Sequence, residues 1–276
     1  MKREAPKRFP VAELFGYPDG NRSPLAESAR ARRWCPFLGA GCTKTTGHAE
    51  SGPIGTCAVR RGERTVIICP QRFRGGDHAI ARAIAKEAFG EKVKFKLVRE
   101  LVVRTGPGQR WSLDYAAAEL LPGGYGKIIG IEDQAIDTTG SLVPYVQAYL
   151  SGGATTPQHA FGLNWANVYK RIIPQVARKG RIFEAWGSQL YVIIQDELLD
   201  YIKQRIALSA AQPGEAVNLV FKPYRLATDA LTGTNRLTPM IALATTVRRL
   251  DEACQASASL PIRAEVETLI DSKPAL

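Results

Sequence analysis

Histidine is nearly missing from this chain. Only His48, His78 and His159 occur in 276 residues, too dispersed for a histidine-based metal site. No apolar run approaches the ~18 residues of a membrane span. The basic start MKREAPKRFP lacks the apolar stretch of a secretory signal, so a cytoplasmic protein with no membrane partner is expected. G-x-S-x-G is absent, as is a glycine-rich loop ending in GK[ST]. There are no internal repeats and no low-complexity tracts. With 45% hydrophobic and 8% aromatic residues, the chain can build a sizeable core, which excludes a disordered tail protein.

What is present is unevenly placed. The net charge is +11. Residues 1–110 hold 22 Lys and Arg against 10 Asp and Glu, net +12, and the remainder is close to neutral. A basic region on an otherwise balanced protein suits a polyanion. Four of the five cysteines, Cys35, Cys42, Cys57 and Cys69, fall in the same part. They are not spaced as paired C-x-x-C motifs. Cys35 and Cys69 each precede a proline, which stiffens the chain after the thiol. In a cytoplasmic protein, clustered thiols favour a metal over disulfides, and four thiolates suit a closed tetrahedral Zn²⁺ or Fe site. Cys254 stands alone in an expected helix, as a small hydrophobe.

Patterning predicts a mixed α/β fold with a central mixed sheet flanked by helices. An N-terminal basic region (1–76) would carry the cysteines, and a core (77–276) would follow. Residues 9–17 read as a short helix or turn. The glycine-rich segment 34–70 shows little periodicity, so it is expected to bury few apolar side chains and to need a metal for order. A helix is predicted over 77–89, capped by Asp77, with Ile80, Ile84 and Ala88 on one face and Gly90 as its stop. Strands are predicted at 93–103, 111–115, 127–136, 189–195 and 216–222. Turns are expected at 105–109 and 122–126. Helices are expected at 142–150, at 164–180 with an interruption at Pro174, at 196–208 and at 238–256.

The acids carry the chemistry. Asp114 ends a strand-like segment, and IEDQ follows at 131–134. Residues two apart on a strand share a face, so Glu132 and Gln134 point one way and Asp133 the other. If the two strands are neighbours, Asp114 and Glu132 converge and can hold Mg²⁺, a hard cation that prefers oxygen. This is the layout of a D…(D/E)xK nuclease site with Gln in place of Lys. Glu100 could supply a further oxygen. Arg72 and Arg74, close after the fourth cysteine, are candidates to read DNA bases. Lys170 and Arg171 could contact phosphates, as could the RKGR run at 178–181.

The motifs ELFGY, WCPF, GTCAV, CPQRF, SLDY…AEL, IEDQ…GS and NVYKR, in that order over residues 13–171, resemble the NotI-type restriction endonucleases. The resemblance implies a PD-(D/E)xK core and a homodimer. It implies Mg²⁺-dependent cleavage of double-stranded DNA at a GC-rich palindrome, and an iron site on Cys35, Cys42, Cys57 and Cys69. By position, Asp114, Glu132 and Gln134 would be catalytic and Glu100 auxiliary. Asp133 stands where the family has an apolar residue, and this chain is shorter. The alternatives are a metal-stabilised DNA-binding protein without catalysis and a structure-directed repair nuclease on the same fold.

Overall fold

The computed structural model describes residues 10–45, 52–62, 64–106, 109–152, 161–229, 232–256 and 263–273. His48, His159 and the centre of the expected 105–109 turn lie outside them. Residues 11–18 are a hairpin, β1 (Val11–Leu14) and β2 (Tyr17–Pro18), rather than the expected helix or turn. Phe15 and Gly16 adopt left-handed φ values of 49° and 82°, which reverses the chain. Every β1 residue is buried. Helix α1 (Pro24–Ala31) starts at Ser23, whose hydroxyl accepts from the Ala26 N–H at 3.3 Å. A short ribbon, β3 (Trp34–Cys35) and β4 (Ala40–Gly41), follows.

Strands β5 (Thr56–Arg61) and β6 (Arg64–Ile67) complete a four-stranded antiparallel sheet in the order β2-β1-β5-β6. Segment 34–70 therefore holds more core than expected: Ala58, Val59, Val66, Ile67 and Ile68 are all buried. Interposed arginines and thiols mask their period in the sequence.

Helix α2 (Ala79–Phe89) buries Ile80 and Ile84 and ends at Gly90, as predicted. Its start is different. His78 occupies the cap, and neither it nor Asp77 caps with a side chain, because both are left-handed (φ 57° and 42°). Strands β7 (Phe95–Gly106), β8 (Gln109–Leu121) and β9 (Gly124–Gln134) form an antiparallel meander. Two-residue strands β10 (Thr138–Thr139) and β11 (Gly162–Leu163) pair around α3 (Val143–Leu150).

Helix α4 (Trp165–Ala185) runs unbroken through Pro174, correcting the expected interruption. A proline inside a helix costs about 3 kcal/mol. Val168, Ile172, Val176 and Phe183 continue one buried stripe on both sides of it, at about 1.5–3 kcal/mol each, so packing prevails. Strand β12 (Leu190–Gln195), helix α5 (Asp196–Lys203) and strand β13 (Leu219–Thr228) follow, with α5 ending earlier than expected. The segment read as one helix over 238–256 is instead the end of β14 (Asn235–Pro239), then β15 (Leu243–Thr245), then α6 (Val247–Gln255). The cause is pairing of both strands with β13 and a cap at Thr246.

The large sheet has the order β14-β13-β12-β9-β8-β7, with β15 also beside β13. Strands β9, β12 and β13 are parallel. One apolar cluster lies on its α4 side and another on its α2 side, and both extend across position 76. Val11, Leu14 and Val59 join the first with Leu190 and Phe221. Ala58, Ile67 and Phe73 join the second with Ile84 and Ile131. The buried side chain of Gln195, at the end of β12, joins the sheets. It accepts from the Ile67 N–H at 2.7 Å and donates to the Thr65 carbonyl at 2.6 Å. Among the described residues, no helix is long and apolar enough to cross a membrane.

Candidate functional site

Pairing between β8 and β9 runs from Leu121 opposite Gly124 to Tyr115 opposite Ile131, and stops there. Strand β9 continues beside β12 alone, with Glu132 opposite Val192 and Gln134 opposite Ile194. Asp114 therefore stands at a fork in the sheet. Its Oδ2 accepts from the Asp133 backbone N–H at 2.9 Å and ties the diverging strands together. In β8, Trp111 and Leu113 lie in the α4-side cluster, yet so does Ala116, while Tyr115 and Ala117 lie on the α2 side. Side-chain alternation thus reverses at Asp114. The neighbouring strand has Glu100 at the same level, between the pairs Arg99–Tyr115 and Leu101–Leu113, in a left-handed conformation with φ 51°.

The two acids of IEDQ separate as alternation predicted. Glu132 faces α4, where the Lys179 ammonium lies 2.6 Å from its Oε1, and both side chains are 15% exposed. Burial, and then the Asp114 charge, push the Glu132 carboxyl up to about 7, against the pull of Lys179. Asp133 lies on the other side with Tyr115, Arg74 and Arg99. Burial and the Asp114 charge hold its carboxyl well above the usual range, and the two arginines oppose them. The Tyr115 hydroxyl meets His78 Nδ1 at 2.9 Å. Burial and the nearby arginines lower the His78 pKa, which favours the neutral ring. Gln134 is half-buried, and its Nε2 donates to the Ala135 carbonyl at 2.9 Å.

Asp114 and Glu132 are thus near enough to repel one another, with one ammonium in partial compensation. Glu100 is not part of this pair. Its carboxylate is 74% exposed and turned to Arg99 at 2.8 Å and Arg74 at 3.8 Å. The sequence places Lys179 only in a basic run suited to phosphate contact. Its place beside the stripe Val176–Gly180–Phe183 was the signal that it faces the sheet.

The four thiols of Cys35, Cys42, Cys57 and Cys69 line one cavity of about 10 Å³, together with Lys44. Cys35, Cys57 and Cys69 are buried, Cys42 half-buried, and all are free. Burial raises the pKa of the three buried thiols and lowers that of Lys44, whose Nζ donates to the Ile68 carbonyl. Among the described residues, no three His, Cys, Asp or Glu side chains already stand close enough to hold a metal ion.

The basic candidates divide. Arg72 is corrected: it is 4% exposed, ion-paired with the fully buried Glu13 at 2.8 Å, and donates to the Asn235 carbonyl at 2.7 Å. It holds the N-terminal hairpin to β14 and cannot reach a base. Arg72→Ala strands Glu13 and is expected to cost roughly 3–5 kcal/mol in denaturant unfolding; a loss under 1 kcal/mol would contradict that role. Arg74 is also buried and serves Asp133. Lys170 and Arg171 are exposed on α4, with Arg171 paired to Asp137 at 2.7 Å.

Compared with protein-family models and with curated proteins, the chain matches none.

Proposed function

We propose that this protein is a type II restriction endonuclease on a PD-(D/E)xK core, cutting double-stranded DNA with Mg²⁺. A homodimer and a GC-rich palindromic target follow from the motif resemblance, as does a structural Fe or Zn ion on the four cysteines. One observation carries the reading: Asp114 and Glu132 meet at a fork in the sheet, with Lys179 on Glu132. The basic N-terminal half is the complementary requirement for holding DNA.

Asp114 and Glu132 would hold the Mg²⁺, since a divalent cation offsets the burial and the Asp114 repulsion that raise the Glu132 pKa. When bound, Mg²⁺ supplies charge to the scissile phosphate and acidity to the attacking water. The Asp133 N–H fixes the Asp114 carboxylate. Lys179 adds a positive charge where negative charge grows on the phosphate. The Gln134 amide can orient water or a phosphate oxygen, but it cannot carry a proton away.

Plasmid DNA incubated with the protein and Mg²⁺ should yield discrete fragments, and a chelator should stop it. Below about pH 7 Glu132 keeps its proton and holds a cation poorly. The rate should therefore climb as pH rises through about 7. A gel shift with no cutting at any pH would reject catalysis.

A further inference from the structure

A second cavity, of about 470 Å³, opens where β12 ends, beside Arg225 of β13. Asp196 and Glu197 follow β12 directly, one residue past Gln195 and two past the partner of Gln134. Asp196 is 8% exposed. Its Oδ2 is taken by Arg225 of β13, with Nε and Nη2 both at 2.6 Å. Its Oδ1 is buried with no hydrogen-bond partner among the described residues, and so is Glu197 Oε2. Ionised carboxylates are acceptors only, so the two acids can bond each other only by holding a proton between them, a proton that a ligand with its own donors would replace. Burial, and then Asp196, push Glu197 up to about 7. The wall carries Trp165 stacked on Tyr201, ring centroids 5.5 Å apart and planes at 28°. Arg61 and Arg64 stand exposed at the rim.

The volume is that of a small-molecule site. With Arg225 engaged on Asp196 Oδ2, the two remaining acid oxygens of the floor lack a donor when ionised, the wall offers π-faces, and the rim is cationic. A nucleotide supplies all three needs. Of the four bases, only guanine presents two adjacent donors, N1–H and N2–H, on its Watson–Crick edge. Adenine and cytosine present one amino donor beside an acceptor, and thymine one imino donor between carbonyls. We infer that this cavity receives an unstacked guanine of bound DNA, its donor edge on Asp196 and Glu197, its ring against Trp165 and its phosphate toward Arg61 and Arg64. Extruded bases are read by their Watson–Crick edge between aromatic walls. The stretch of α4 from Trp165 to Lys179 measures roughly 21 Å at 1.5 Å per residue. That is about six base steps at 3.4 Å, so one DNA segment can occupy both places. The inference rests on the nuclease reading for the source of the guanine.

The test is calorimetric titration of the full chain in chelator with dGMP, dAMP, dCMP and dTMP. It is then repeated with duplexes carrying one unpaired guanine or one unpaired adenine. We expect dGMP to bind about 10- to 100-fold tighter than dAMP. Glu197→Gln should erase that preference. Trp165→Leu should weaken all four nucleotides about tenfold or more, in case the first variant folds poorly. Duplexes should show the same guanine preference, lost in Glu197→Gln. Equal binding of the four nucleotides, or a preference that survives Glu197→Gln, overturns the proposal. A preference for dGMP absent from the duplexes overturns the DNA source in favour of a free guanine nucleotide. No arm requires cutting, so a failed plasmid assay would remove the nuclease reading without deciding this one.

Discussion

Asp114→Asn and Glu132→Gln will each lower DNA cleavage about 10³-fold or more while leaving DNA binding within a few-fold. The size follows from removing one of the two anionic oxygen donors that would fix the metal against the phosphate. Both substitutions keep shape. The amide oxygen introduced by Asp114→Asn can still accept from the Asp133 N–H, so the fork stays tied. Glu132→Gln removes a charge that burial and Asp114 already oppose, so the fold gives up little at neutral pH. The linkage has a definite sign. Glu132 binds its proton more tightly in the folded chain, so its ionisation weakens the fold as pH rises from about 4.5 through about 7. The same substitution abolishes that slope. Cleavage rates and gel shifts on the same DNA measure the split between chemistry and binding. Full cutting by either variant would dismiss this pair as the site.

The second large effect concerns the thiols. Purified protein should contain about one Fe or Zn per chain. Cys57→Ser and Cys69→Ser should each lose it, since both thiols are buried on the same small cavity. Structural zinc contributes ~10–16 kcal/mol in small metal-dependent domains. A loss of at least about 3 kcal/mol is a conservative fraction of that, equivalent to ~6–12 °C in melting temperature for a chain of this size. Elemental analysis finding neither metal, with melting unchanged in both variants, would reject the four-thiolate reading.

The central sheet was legible because its strands are long and apolar. The runs 127–136 and 189–195 became β9 and β12 with little change of bounds. The separation of Glu132 from Asp133 was legible for the same reason, since alternation depends only on the chain. The hairpin at 11–18 was not, because a four-residue strand carries too little pattern and its turn rests on a left-handed Phe15. Nor was the reversal at Asp114, which lies level with a left-handed Glu100 on the neighbouring strand. Pro174 misled because a local penalty was weighed without the packed stripe that outweighs it. Arg72 misled because a cationic residue near a basic run looks exposed, whereas its partner Glu13 lies 59 positions upstream. Asp196 and Glu197 suit the start of any helix, and sequence does not show how their oxygens are partnered.

The Gln195 amide imitates the peptide group of a missing strand. It stitches the edge of the four-stranded sheet to the far end of β12 with one donor and one acceptor. That seam lies between Cys57 and Cys69 on one side and Gln134 and Asp196 on the other. Its tolerance is a few tenths of an ångström, the range over which a hydrogen bond keeps its geometry. If the proposed metal centre and nuclease site hold, a loosened thiol centre would be felt at Gln134 as misalignment before it was felt as unfolding. Cofactor loading and cleavage would then share a single quality check, built from one side chain.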